Sequence, residues 1–146
     1  MCIRDRYSKK KSGAFDVVIP EFDFKMRWNL TTDGSLWIIN PTSINEIGCI
    51  HTCQGLEVDY VGVIVGPDLI VREEKVLTNP AARAKMDRSI SGYKKLIDKN
   101  PEKAKQLVRS IIKNTYRTLM TRGMKGCYVY FVDKETEKFF KSRIED

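Results

Sequence analysis

Two apolar runs separated by a polar segment dominate the middle of the chain: Ile47 to Ile50 and Tyr60 to Val65, with His51 to Glu57 between them. Runs of Ile and Val without polar alternation suit strands covered on both faces, as in parallel α/β sheets. The pattern predicts two buried strands, with His51-Thr52-Cys53-Gln54-Gly55-Leu56-Glu57 at the carboxyl end of the first. Open α/β sheets bind their ligands at that edge. A helical period governs the stretch from Pro101 to Thr121. There Ala104, Leu107, Val108, Ile111, Ile112, Tyr116, Leu119 and Met120 recur at i, i+3, i+4, i+7 and define one apolar face. Pro101 suits the first turn of this helix and Gly123 a stop beyond its end.

Shorter patterns fill in the rest. Asp16 to Ile19 reads as a short strand stopped by Pro20. Phe22–Leu30 and Leu36–Asn40 flank an Asp-Gly turn within Thr31–Ser35, which predicts a hairpin. Trp28 and Trp37 within it read as packing residues rather than base-stacking ones. Pro41 to Glu46 reads as a connector. Leu69–Arg72 and Lys75–Thr78 bracket Glu73-Glu74 and predict a second, smaller hairpin. Asn79 is placed to cap a turn that Pro80 begins, and Ala81 to Lys99 is a basic helical stretch broken at Gly92. Gly126 to Val132 reads as a last strand and Glu135 to Arg143 as a closing helix. No internal repeat or low-complexity segment appears.

Composition narrows the class. With 146 residues, 42% hydrophobic and 31% charged, the chain can bury one core. No apolar stretch is long enough to span a bilayer and no signal-peptide core opens the chain, so a cytoplasmic protein without a membrane partner is expected. Four cysteines (Cys2, Cys49, Cys53, Cys127) do not form a disulfide framework in a chain of this kind. A net charge of +7 leans towards a polyanionic partner. Met1-Cys2-Ile3-Arg4-Asp5-Arg6 resembles the translated end of a sequencing adapter. On that reading the native chain begins further upstream, residues 1–13 are a non-native or disordered lead-in, and the domain runs over 14–146.

Two motifs carry a resemblance. IHTCQGLEVDYVGVIVG is similar to motif V of superfamily 1 DNA and RNA helicases: an apolar strand, a polar Thr, QGLE, and a second apolar strand. Asn114 to Gly123, with Tyr116, Thr121 and Arg122, is similar to motif VI, the Tyr-hydrophobic-Thr-Arg signature of the same superfamily. Their order and spacing together resemble the Schlafen-type DNA/RNA helicase domain of uncharacterised bacterial ATPases, over roughly Phe22 to Phe140. The resemblance implies the second, C-terminal RecA-like domain of the P-loop NTPase superfamily: a parallel sheet flanked by helices, with small hairpin additions.

What the resemblance implies for the site is specific. In such helicases ATP, with Mg2+, sits between two RecA-like domains. The first domain supplies the Walker A loop and the second supplies motifs V and VI. Arg122 matches the arginine that reaches the γ-phosphate, a role that suits an always-charged, planar guanidinium. Arg117 matches either a second phosphate contact or a surface ion-pair residue. Glu57 matches the carboxylate near the ribose, where an acceptor can take a hydroxyl hydrogen bond. Gly55 permits close backbone approach, and Gln54 lies between the two ligands. His51 and Thr52 match positions that touch the backbone of a single strand of DNA or RNA.

No G-x-x-x-x-G-K-[ST] sequence occurs in the chain. The resemblance therefore implies an ATP site completed by an N-terminal RecA-like domain that these residues do not include, and an inactive fragment in isolation. A non-catalytic nucleic-acid or protein binding module on the same fold is the alternative. Cys49, His51 and Cys53 alternate as zinc ligands in a strand might, yet a structural site wants a fourth ligand at suitable spacing. A Cys/His protease lacks a third orienting group, and the scattered carboxylates do not suit a metal-dependent nuclease.

Overall fold

The computed structural model describes residues 2–3, 15–28, 39–50, 55, 57–83 and 93–144. The described chain is α/β: eight strands, three α-helices and several short 3-10 turns. In chain order the strands are β1 (Cys2–Ile3), β2 (Val17–Ile19), β3 (Phe24–Trp28), β4 (Glu46–Ile47), β5 (Val58–Val65), β6 (Leu69–Arg72), β7 (Lys75–Thr78) and β8 (Gly123–Phe131). The helices are α1 (Tyr93–Lys99), α2 (Pro101–Met120) and α3 (Lys134–Ser142).

β5 is the strand that the rest shares. It lies between β1 and β8 in an all-parallel three-stranded sheet, with Val63 and Ile64 opposite Cys2 and Ile3. Two residues of the adapter-like opening thus pair in the sheet. The carboxyl half of β5 is buried on both faces, as its unbroken apolar run requires. Val61, Val63 and Val65 pack with Val108, Ile112, Tyr116 and Leu119 of α2 and with Leu69 and Phe131. Ile64, between them, joins Val17, Trp28, Ile47 and Cys49 in a second cluster.

α2 answers closely to its sequence. Asn100 caps it through Oδ1, which accepts from the Lys103 N–H at 3.1 Å, and Pro101 opens its first turn. Its buried face is Ala104, Val108, Ile112, Thr115, Tyr116 and Leu119. Leu107, expected on that face, is exposed, and Thr115 takes an inward position by donating its hydroxyl to the Ile111 carbonyl at 2.8 Å. Gly123, expected as a stop, is also the first residue of β8, which begins three residues earlier than its apolar run suggests.

The β6–β7 hairpin forms where expected, with Glu73 and Glu74 at φ 50° and 58° in the turn. One expectation is corrected. The strand expected at Ile47 to Ile50 is only the two-residue β4, because Ile50 is already helical, and β4 pairs in parallel with β3 rather than with β5. A further hairpin, β2–β3, turns at Pro20–Asp23 with Asp23 at φ 45°, ahead of the one expected at Thr31–Ser35. Residues 29–38, which hold that expected turn, lie outside the described residues. No helix among the described residues is long and apolar enough to cross a membrane.

Candidate functional site

β5 and β8 run in parallel from a shared edge, and two of the residues singled out by sequence stand at that edge. Val58 pairs with Gly123, so Glu57 and Arg122 are the residues immediately before the paired ends. The Val58 N–H donates to the Arg122 carbonyl at 3.0 Å, which locks the two segments side by side. Gly55, two residues upstream of Glu57, has φ +82° and open space where a Cβ would stand. Backbone conformation, not crowding, is what requires glycine there. The sequence pattern puts this segment at the carboxyl end of a first strand; its described residues instead lead into the amino end of β5.

A bulge shapes the edge next to Arg122. Val58 pairs with Gly123 but Tyr60 pairs with Gly126, so β8 has one residue more than β5 over this step. Bulges of this kind bend a strand and re-aim neighbouring side chains. The two glycines make it possible. A Cβ on Gly123 would overlap the Gly126 carbonyl oxygen and stand 3.1 Å from Val61 Cγ1, and one on Gly126 would press on the Tyr60 ring. Lys125, in the bulge, is held to Asp59 of β5 at 2.7 Å.

Arg122 follows the last turn of α2. Its Nε donates to the Thr118 carbonyl at 3.3 Å, one of the orphan acceptors of a helix end. Among the described residues this guanidinium forms no ion pair. Thr121 ties off the same turn: its N–H and Oγ1 donate to the Arg117 carbonyl at 3.1 and 3.0 Å. Arg117 stands exposed in that turn. Glu57 is exposed as well. The structure thus brings Gly55, Glu57 and Arg122 to one edge, with Arg117 in the turn before it, while His51, Thr52 and Gln54 lie outside the described residues.

Sequence reasoning missed the residues that hold α2 in place. Tyr116, read as part of an apolar face and of the motif VI resemblance, is buried, and its hydroxyl does two jobs. It donates to Asp68 Oδ1 and accepts from the Gly66 N–H at 3.0 Å. Asp68 is itself buried and takes a second bond from Arg83 Nε at 3.2 Å. A buried charge demands such partners. The loop after β5, the helix α2 and the turn after β7 are thereby pinned to one another. Arg122 lies six residues beyond Tyr116, about 9 Å along a helical rise, so the clamp sets the height and roll of the turn that carries it. The signal was present only in the Tyr of the Tyr-x-x-x-x-Thr-Arg sequence.

A second polar junction docks the β6–β7 hairpin on α3. Arg72 binds Asp133 with both terminal nitrogens, at 2.8 and 2.7 Å, and also reaches Glu135 at 3.3 Å. Asp133 caps α3 by accepting from the Thr136 N–H at 2.9 Å and from its hydroxyl at 2.6 Å. The Thr136 hydroxyl oxygen also accepts from the Val71 N–H of β6 at 2.8 Å. The Arg72 fork, then Thr136, hold the Asp133 carboxyl well below the usual carboxylate range. Cys127 is an exposed thiol outside any disulfide, and partial burial of its sulfur pushes its pKa up. Cys49 is buried in the second core cluster. Among the described residues no group of three or more His, Cys, Asp or Glu is placed to hold a metal ion.

Comparison with known proteins bears on this edge directly. The profile of the Schlafen group 3 DNA/RNA helicase domain matches residues 2–133, from β1 through β8. The chain belongs to that family. A protein of Saccharomyces cerevisiae described as uncharacterized is 32% identical over 115 residues, which are 77% of this chain and 24% of the yeast protein. The chain therefore spans about a quarter of the length of that relative. No solved structure matches the chain. Membership in the Schlafen group 3 helicase family points to a helicase-related function, and the matched span contains the Glu57–Arg122 edge and the clamp behind it.

Proposed function

We propose that the chain is the second, RecA-like domain of an ATP-dependent nucleic-acid helicase or translocase, and that Arg122 is the arginine finger of its ATP site. The observation that carries the proposal is the backbone bond between Val58 and Arg122, which sets Glu57 and Arg122 at neighbouring positions on one sheet edge. A nucleotide spanning that edge would meet an acceptor and a cation. Glu57 would accept from a ribose hydroxyl, and the Arg122 fork would meet phosphate oxygens as charge develops on them. Gly55, at its positive φ, would let the chain approach the nucleotide closely. Gln54 would lie between nucleotide and strand, and His51 and Thr52 would contact the strand's phosphates.

In this reading ATP is the substrate, and Mg2+ and the phosphate-cradling loop belong to a separate RecA-like domain that closes against Arg122. Arg117 would support the same phosphate charge from the preceding turn. The test is ATP hydrolysis by the native full-length protein, with and without single-stranded DNA or RNA. Hydrolysis stimulated by a strand supports the motor. Strand binding with no hydrolysis under any condition would move the reading to a binding module that uses the same fold without nucleotide turnover.

A further inference from the structure

The exposed side of α2 carries a feature that neither folding nor the nucleotide edge explains. Lys105, Arg109, Lys113 and Arg117 recur at every fourth position, and Arg122 follows just beyond the helix. The helix holds five basic residues against one acid, Glu102. Residues four apart lie on one inclined ridge, so the four cations form a diagonal row roughly 18 Å long. The row starts in the groove between β7 and the first half of α2, which Lys105 and Arg109 help to line. It ends in the turn that delivers Arg122.

Three observations separate this row from an ordinary solvated face. Like charges four residues apart repel one another, so the row works against the helix that carries it. The helix dipole favours cations only in the last turn, which covers Arg117 but not Lys105, Arg109 or Lys113. Lys105 is matched by Glu102 at 3.0 Å, whereas Arg109, Lys113 and Arg117 form no ion pair among the described residues. Elsewhere Lys25, Arg72, Arg83, Lys125, Lys134 and Lys141 have acidic partners, whereas Lys75, Lys99, Lys103 and Lys138 form no ion pair among the described residues, so what marks α2 is three unmatched cations in one regular row. A row of four cations on a rigid rod, three of them without an acidic partner among the described residues, has the form of a surface built for an extended polyanion.

We propose that Lys105, Arg109, Lys113 and Arg117 form a phosphate track on α2 for the backbone of a single-stranded nucleic acid, leading to the edge that holds Arg122. The track grips phosphate, so it positions a strand and reads no sequence. The proposal rests on the nucleic-acid reading given above and adds residues beyond His51 and Thr52. Arg117, given there to the phosphate charge of the nucleotide, is where the track meets the edge that holds Arg122.

The test is fluorescence anisotropy of labelled oligo-dT and of a mixed-sequence strand binding to the full chain across a salt series. The variants are the double change Arg109→Gln with Lys113→Gln and the charge-preserving double change Arg109→Lys with Lys113→Arg. The Gln pair is expected to weaken both strands equally and to lower the slope of log affinity against log salt by about 1.4, or ~0.7 for each phosphate that is no longer neutralised. The charge-preserving pair is expected to keep the wild-type slope. Arg109 is exposed and Lys113 half-buried, and circular dichroism checks that the variants keep the fold. If wild type binds a strand and the Gln pair leaves affinity and slope unchanged, the track is wrong while the nucleic-acid reading stands. If wild type binds no strand even at low salt, both fall. A poly-glutamate peptide that displaces the strand at matched charge concentration would overturn the track in favour of an acidic protein partner.

Discussion

At the scale of single residues, the edge depends on groups with little tolerance for change. Gly123 is the strictest, because a methyl there meets backbone rather than a movable side chain. Gly123→Ala is expected to cost about 1–3 kcal/mol, the usual range for overpacking, read from the urea midpoint. Gly55 behaves differently, since it has room for a Cβ and only its positive φ is unfavourable for other residues. Tyr116 shows how a motif residue can act without touching a ligand. Tyr116→Phe keeps the ring in the core but removes a donor to Asp68 and the acceptor of the Gly66 N–H. The expected loss is about 1–3 kcal/mol with an unchanged denaturant slope. No loss in that measurement would mean that the clamp holds nothing.

At the scale of elements, the hairpin and α3 behave as one polar junction whose strength depends on pH. Asp133 is held ionised by Arg72 and Thr136, so its folded pKa lies below the value in the unfolded chain, about 3.9. The sign follows. The stabilisation is fully present above the unfolded value and is lost as pH falls through it towards the folded one. Asp133→Asn preserves a good cap residue while removing the charge. Stability measured against pH should therefore fall less steeply below about pH 4 in the variant than in wild type. The Arg72 side chain is 42% exposed, so solvent screening limits the size of the effect. A parallel acid limb in both proteins would contradict the junction.

The elements also show what could be read from sequence and why. α2 and the β6–β7 hairpin were legible because each carries its own period and its own punctuation: Asn100-Pro101 in one, Glu73-Glu74 in the other. β4 was not. Its two residues gain their strand geometry from β3, and nothing local to Ile47 announces that partner. The β2–β3 turn was hidden because Asp23 adopts a left-handed conformation without glycine. Of the candidate site, Gly55, Glu57 and Arg122 were singled out by the helicase resemblance, and the structure sets them near one edge. Asp68 and Arg83 were invisible, since a buried ion pair between residues 15 apart leaves no pattern in the chain.

At the scale of the whole molecule, β5 is the organiser. One of its faces packs on α2, Ile64 joins the second cluster, and its amino end aligns with the start of β8. The Tyr116–Asp68–Arg83 clamp lies beyond its carboxyl end, and the Glu57–Arg122 edge lies at its amino end. α2 links the two. This arrangement suits a domain that closes on a nucleotide at one edge while its exposed helix follows a charged strand.

The most direct test of that account is strand-stimulated ATP hydrolysis by the full-length protein, comparing wild type with Arg122→Ala. An arginine finger contributes through the transition state, so the substitution should lower the hydrolysis rate by about a hundredfold or more, with nucleotide affinity little changed. Hydrolysis that proceeds undiminished in Arg122→Ala would contradict the finger, and with it the role assigned to the edge that β5 and β8 share.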